Sequence, residues 1–216
     1  MKTEEVNTED QRYALAEEAI FGALNQLARK KPIDRITVSD IIRRAGIVRS
    51  TFYNHYQDMP SLLEAAEQRM QSEIFDLMRS FRPHGNENIC RSYFLALCRY
   101  TEGNGFMIQI IRSADASHFV GESLTALHAY AKFALKVSFS SQSDAASLSS
   151  PEKGVSLSPE AKKDAFSYAI AYAIGGVLGI LHKWTSDGCI AKPEYVAGLM
   201  TESYMRGMAA FICRPD

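Results

Sequence analysis

Apolar residues recur at three- and four-residue intervals along most of this 216-residue chain, and no stretch alternates convincingly as a strand. The pattern predicts helices throughout. Thr8 to Gln11 has the form of a capping box and opens a helix over about 8–30, with Ala16, Ile20, Ala23, Leu24 and Leu27 on one face. Lys31 and Pro32 end it. Thr37 caps a second, short helix with Asp40 as its reciprocal partner, and Ile36 and Ile41 fall where a hydrophobic staple would sit. Val38, Ile41, Ile42 and Ala45 form its apolar face, and Gly46 supplies the left-handed residue that stops it. A third helix opens at Arg49, with Phe52 and Tyr56 inward and Arg49, Ser50, Tyr53 and Asn54 outward. Asp58 caps a fourth over about 58–81, with Pro60 tolerated in its first turn.

Further helices are expected over about 88–100, closed by Glu102, Gly103, Asn104 and Gly105, then over 106–112 and 116–137. Residues 138–158 are Ser-rich with few large apolar groups and are expected to be a mobile loop. Ser158, Pro159 and Glu160 start a long helix to about 186, and Pro193 starts a last one to about 211. The expected fold is therefore all-α. A three-helix head carrying a helix-turn-helix fills residues 1–57, and a helical body fills 58–216.

Charge sharpens this reading. The net charge is −1, so the chain as a whole is no general nucleic-acid binder. Between Arg29 and Tyr56, however, stand seven basic residues (Arg29, Lys30, Lys31, Arg35, Arg43, Arg44, Arg49) against two acidic ones, Asp34 and Asp40. That excess coincides with the helix-turn-helix and would face phosphates. No apolar run approaches the roughly 18 residues of a membrane span, and the acidic start lacks the pattern of a signal peptide. The expected compartment is the cytoplasm. Cys90, Cys98, Cys189 and Cys213 lack metal or disulfide spacing, and His84, His118, His128 and His182 are scattered, so neither a metal nor another cofactor is expected.

The segment 35–63 resembles the DNA-binding domain of the TetR family of bacterial transcriptional regulators. The matching residues are Thr37 at the start of the second helix, Ala45-Gly46-Ile47 at the turn, Thr51-Phe52-Tyr53-Asn54-His55-Tyr56 in the recognition helix, and Leu62-Leu63 beyond it. The motif covers about a seventh of the chain. The resemblance implies a dimeric, sequence-specific transcription factor, most often a repressor released by a small-molecule effector. It implies that Thr37, Thr51, Tyr53, His55 and Tyr56 touch the sugar-phosphate backbone or support the helix. Tyr56 fits contact with the backbone and packing within the head equally.

Residue chemistry adds base readers. Arg49 has the fork that fits guanine O6 and N7, Asn54 can pair with adenine N6 and N7, and Ser50 can reach a base edge or a phosphate. Arg35, Arg43 and Arg44 are further phosphate candidates. Two positions depart from the family pattern. Val48 stands where many relatives have a capping Ser, and Met59 where many have a phosphate-binding Lys.

In the body, Ile170, Ile174, Val177, Leu178 and Leu181 line one of the last two helices, where Gly175, Gly176 and Gly179 permit close approach. Leu199, Met200, Tyr204 and Met208 line the other. The resemblance implies that these two helices form a four-helix dimer interface with a second copy; intrachain core is the alternative. An effector pocket is implied too. Tyr93, Phe106, Met107, Tyr130, Phe133, Tyr172, His182 and Trp184 are its candidates, although residues of these types are more often plain core than pocket lining. Catalytic motifs are missing, and the glycines at 175–179 lie inside a helical pattern rather than after a strand, so an enzyme is not expected. The alternatives left open are an activator or ligand-independent regulator, and an effector-binding helical protein that no longer reads DNA.

Overall fold

Among the residues that the computed structural model describes (8–80, 89–113 and 159–212) there are eight α-helices and no strand. They are α1 (Thr8–Ala28), α2 (Val38–Ala45), α3 (Arg49–His55), α4 (Met59–Ser80), α5 (Ile89–Gly103), α6 (Gly105–Arg112), α7 (Pro159–Ser186) and α8 (Pro193–Ile212). One 3-10 turn, Ile33–Arg35, precedes α2. No described helix is long and apolar enough to cross a membrane. The expected helix over 116–137 and the Ser-rich loop lie outside the described residues, and with them Tyr130 and Phe133. One boundary differs from expectation. α5 continues through Gly103, and Asn104 does not extend a loop but caps α6, its side chain accepting from the Met107 amide at 3.0 Å.

The chain divides into two compact units, residues 1–80 with 99–113, and residues 81–98 with 114–216. In the first, α1 packs on α2, α3 and α6. Its inward residues Ile20, Ala23, Leu24 and Ala28 are buried, as are Ile36, Ile41, Phe52 and Leu62. Each large side chain fully buried in this way contributes roughly 1.5–3 kcal/mol.

α1 and α6 approach so closely at Gly105 that an added Cβ would meet the Asn25 carbonyl at 2.6 Å and Arg29 Cγ closer still. Polar groups fasten that crossing from both sides. The Asn25 side-chain oxygen accepts from the Gly105 amide. Arg29 donates to the Glu102 carbonyl at 2.6 Å, and Gln109 donates to the carbonyls of Ala28 and Lys31 at 2.8 and 3.3 Å. The Arg29 and Gln109 bonds satisfy carbonyls at or just beyond the ends of α5 and α1, and the Asn25 bond satisfies an amide at the start of α6.

In the second unit α7 packs on α8. Ile174, Leu181 and Trp184 of α7 are buried, and so are Val196, Ala197 and Met200 of α8. Gly188 (φ 80°) and Cys189 (φ 57°) close α7, the Cys189 amide reaching back to the Trp184 carbonyl at 2.9 Å.

Candidate nucleic-acid interface

The two short helices of the head are set by local chemistry. Thr37 Oγ1 accepts from the Asp40 amide at 3.2 Å, and Asp40 Oδ2 accepts from the Thr37 amide at 3.1 Å, so the capping box is complete in both directions. Asp40 also accepts from Lys31 Nζ at 2.5 Å and from Arg43 at 2.8 Å. The Lys31 ammonium, together with the Thr37 hydroxyl and amide, holds the Asp40 carboxyl far below the usual carboxylate range. Gly46 (φ 69°, ψ 28°) then turns the chain, its amide bonding the Ile42 carbonyl at 3.0 Å.

α3 follows at once, with Val48 at its N-cap and no side-chain cap. Its faces are sharply divided. Phe52 is fully buried and Tyr56 nearly so, while Arg49, Ser50, Tyr53 and Asn54 are exposed and Thr51 is half-buried.

The inner face of α3 is held by groups from distant elements. The Tyr56 hydroxyl donates to Glu17 of α1 at 3.1 Å, and its ring lies 6.0 Å from that of Phe21. Burial and the Glu17 carboxylate push the Tyr56 phenol up. His55 stacks on Tyr13, centroids 3.8 Å apart, and its Nδ1 is buried without a hydrogen-bond partner among the described residues. Burial lowers the His55 pKa, favouring the neutral ring. Arg69 of α4 pairs with Glu18 at 2.7 Å and Glu73 at 2.8 Å, its guanidinium 4.7 Å from the Phe21 ring. Asp58 and Ser61 cap α4 reciprocally, at 2.9 and 3.2 Å.

Of the residues singled out in the sequence, Thr37, Arg35, Arg43, Arg44, Arg49, Ser50, Tyr53 and Asn54 lie at the exposed surface of one unit. Tyr56 and His55 are directed into the head, where Tyr13 and Glu17 meet them. Tyr13, Glu17 and Arg69 had no signal in the sequence, because their partners are 42, 39 and 51 positions away or come through the helix crossing alone. Val48 is exposed at 66%, and Met59 is half-buried.

The body candidates scatter. Phe106 and Met107 are buried in the first unit. In the second, Tyr93 is half-buried, Tyr172 and His182 are exposed, and Trp184 is buried with its indole N–H bonded to the Ala191 carbonyl at 2.8 Å. A surface groove of about 660 Å³ between α5 and α8 is lined by other residues, among them Arg91, Tyr195, Leu199 and Glu202. Ile174, Leu181 and Met200, expected at a dimer interface, are buried within the unit, whereas Leu199 is exposed at 40%. Val177, Leu178 and Tyr204 are half-buried. Ile170 and Met208 lie in α7 and α8, with side chains outside the description.

The family model for bacterial regulatory proteins of the tetR family matches residues 20–66, from the middle of α1 into α4. The chain is 43% identical over 68 residues to an uncharacterized HTH-type transcriptional regulator of Bacillus subtilis (strain 168), YxbF, which is 31% of this chain and 18% of that protein. It spans about a fifth to a third of the length of the curated relatives it matches. Whole-chain likeness is one of fold. The structure of the dihydroxyacetone kinase operon activator DhaS superposes with a TM-score of 0.62 at 19% identity, covering 91% of this chain and 97% of that one. The transcriptional regulator FadR from Bacillus subtilis, in complex with stearoyl-CoA, does so with 0.58 at 12% identity, covering 90% and 98%. The match to the tetR family of bacterial regulatory proteins thus lies in the head, residues 20–66, and the rest of the chain shares the fold of these solved regulators.

Proposed function

We propose that this protein is a sequence-specific, DNA-binding transcriptional regulator that acts as a homodimer on a two-fold symmetric operator. The observation that carries this reading is the exposed face of α3. Arg49, Ser50, Tyr53 and Asn54 project from a short helix whose opposite face is buried and cross-braced, in the unit that also exposes Arg35, Arg43 and Arg44. A rigid helix offering a guanidinium fork and a carboxamide can read guanine and adenine edges in the major groove, while the flanking cations and the exposed Thr37 engage phosphates.

Repression relieved by a small-molecule effector in the body is the preferred form of the mechanism. Binding would change the spacing of the two heads, and a duplex of fixed half-site spacing would then bind less well. Activation remains a second reading because the same fold serves an operon activator, DhaS. A reporter in a deletion strain separates the two by the sign of the expression change.

The decisive experiment is selection of bound duplexes from a random pool. A two-fold symmetric sequence is expected. Arg49→Ala should then lower discrimination at one base pair of each half-site by roughly 1–3 kcal/mol. Equal loss of affinity for selected and random DNA would remove Arg49 from the base-reading role.

A further inference from the structure

Arg49 opens α3, and Tyr53 stands one turn later on the same exposed face. Arg49 Nη2 donates to the Tyr53 phenol oxygen at 3.2 Å, and the guanidinium carbon lies 5.4 Å from the Tyr53 ring centroid. The platform is itself anchored. The Tyr53 ring meets the ring of Phe52 edge-on, centroids 5.5 Å apart, and Phe52 is fully buried. A buried ring thus braces an exposed ring, which in turn holds an exposed cation.

The arrangement does little for the fold itself. A cation in the first turn of a helix faces the positive end of the helix dipole, and both partners are exposed to water. Its value lies in order. An arginine side chain has large rotamer freedom, and what is fixed beforehand is not lost on binding. The contact to Tyr53 uses one of the five guanidinium N–H groups, leaving a fork edge open for a bidentate partner.

We propose that Tyr53 is a positioning residue for base recognition: its hydroxyl and ring hold the Arg49 guanidinium over the outward face of α3, aligned before DNA arrives. This rests on α3 being the DNA-reading helix, as set out above. It assigns Tyr53 a role in specificity, in contrast to direct contact with the sugar-phosphate backbone.

The test uses the full chain and the duplex it selects from a random pool. Binding is measured on that duplex and on single-base-pair variants, with wild type, Tyr53→Phe, Tyr53→Leu, Arg49→Ala and the double variants. Thermal melting confirms that each variant folds. Tyr53→Phe keeps the ring and removes the hydroxyl. It is expected to lower preference roughly three- to tenfold, the worth of one ordinary hydrogen bond. The loss should fall at the base pair that Arg49→Ala affects, with the salt dependence unchanged. Tyr53→Leu should lower that preference further, and in the Arg49→Ala background neither substitution should act at that pair. Equal weakening on every duplex with a shallower salt slope would make Tyr53 a phosphate contact and overturn the proposal. So would unchanged preference in both Tyr53 variants. If the wild type selects no sequence, the DNA-reading function falls, and the positioning role with it.

Discussion

Asp40 accepts from Lys31, Thr37 and Arg43 at once, and this makes the cap of α2 sensitive to acid. The folded carboxyl is held far below its ordinary pKa, chiefly by Lys31 and then by Thr37. Such a group contributes stability that is present above the unfolded-state pKa, about 4, and is lost as the pH falls, because the unfolded chain then takes up a proton that the folded chain resists. Asp40→Asn keeps the shape and removes the charge. At neutral pH the variant should melt below wild type, and the gap should narrow as the pH is lowered from about 4 toward about 2. A gap independent of pH would show that the ion pairs contribute nothing to stability. At this scale the sequence is legible where partners are near. Thr37, Asp40 and Gly46 act within a few residues of one another, so spacing identifies them. Lys31 on Asp40, Tyr13 on His55 and Glu17 on Tyr56 depend on how α1 crosses the head, which no local pattern encodes. The Arg49–Tyr53 contact lies between these cases. Its four-residue spacing is visible in the sequence, but its hydrogen bond and its anchor on Phe52 are not.

At the scale of elements, the glycines at 103 and 105 show how a correct local reading can miss a residue's purpose. Their sequence context marks a break between helices, and a break is present, although α5 runs through Gly103 and Asn104 serves as a cap. What the context hides is that Gly105 lies against α1, some 80 residues earlier in the chain. Gly105→Ala would force its Cβ against the Asn25 carbonyl and the Arg29 stem. Backbone cannot yield there as a flexible side-chain tip can, so the substitution should destabilise by about 1–3 kcal/mol. Gly103→Ala is the control, since no described residue lies within 4 Å of its added Cβ and its backbone is not left-handed. It should change stability by no more than about 0.5 kcal/mol. Chemical denaturation of the two variants distinguishes these outcomes. If Gly105→Ala is as mild as Gly103→Ala, the α1–α6 joint accommodates separation and the polar contacts around Asn25, Arg29 and Gln109 do not enforce it.

For the whole molecule, the proposed homodimer needs a seam, and α7 offers a specific candidate. Its inward side is occupied by Ile174, Leu181 and Trp184. On another side, Tyr168 and Tyr172 are exposed at 75% and 68%, and Gly175 and Gly179 are exposed as well. Positions 168, 172, 175 and 179 follow four-, three- and four-residue steps, so they form one stripe along the helix. Among the described residues, nothing lies within 4 Å of a Cβ built on Gly175, Gly176 or Gly179. These small residues therefore meet no close neighbour among the described residues, although their sequence pattern reads as an invitation to one. They would give it against a second copy, where two such stripes flanked by tyrosines can meet at short distance. Gly179→Leu separates the possibilities. Among the described residues no atom lies within 4 Å of a Cβ at this position, and replacing a helix-interior glycine favours the helix by up to about 1 kcal/mol, so melting should not fall through misfolding. At a dimer seam the same side chain stands where the partner's backbone approaches. Light scattering should then show the variant as a monomer where wild type is a dimer. Affinity for the two-fold operator should drop much more than affinity for a single half-site, because each head stays intact while the link between heads is lost. A variant that remains dimeric at the wild-type concentration would place the seam elsewhere and leave the exposed tyrosines of α7 without this role.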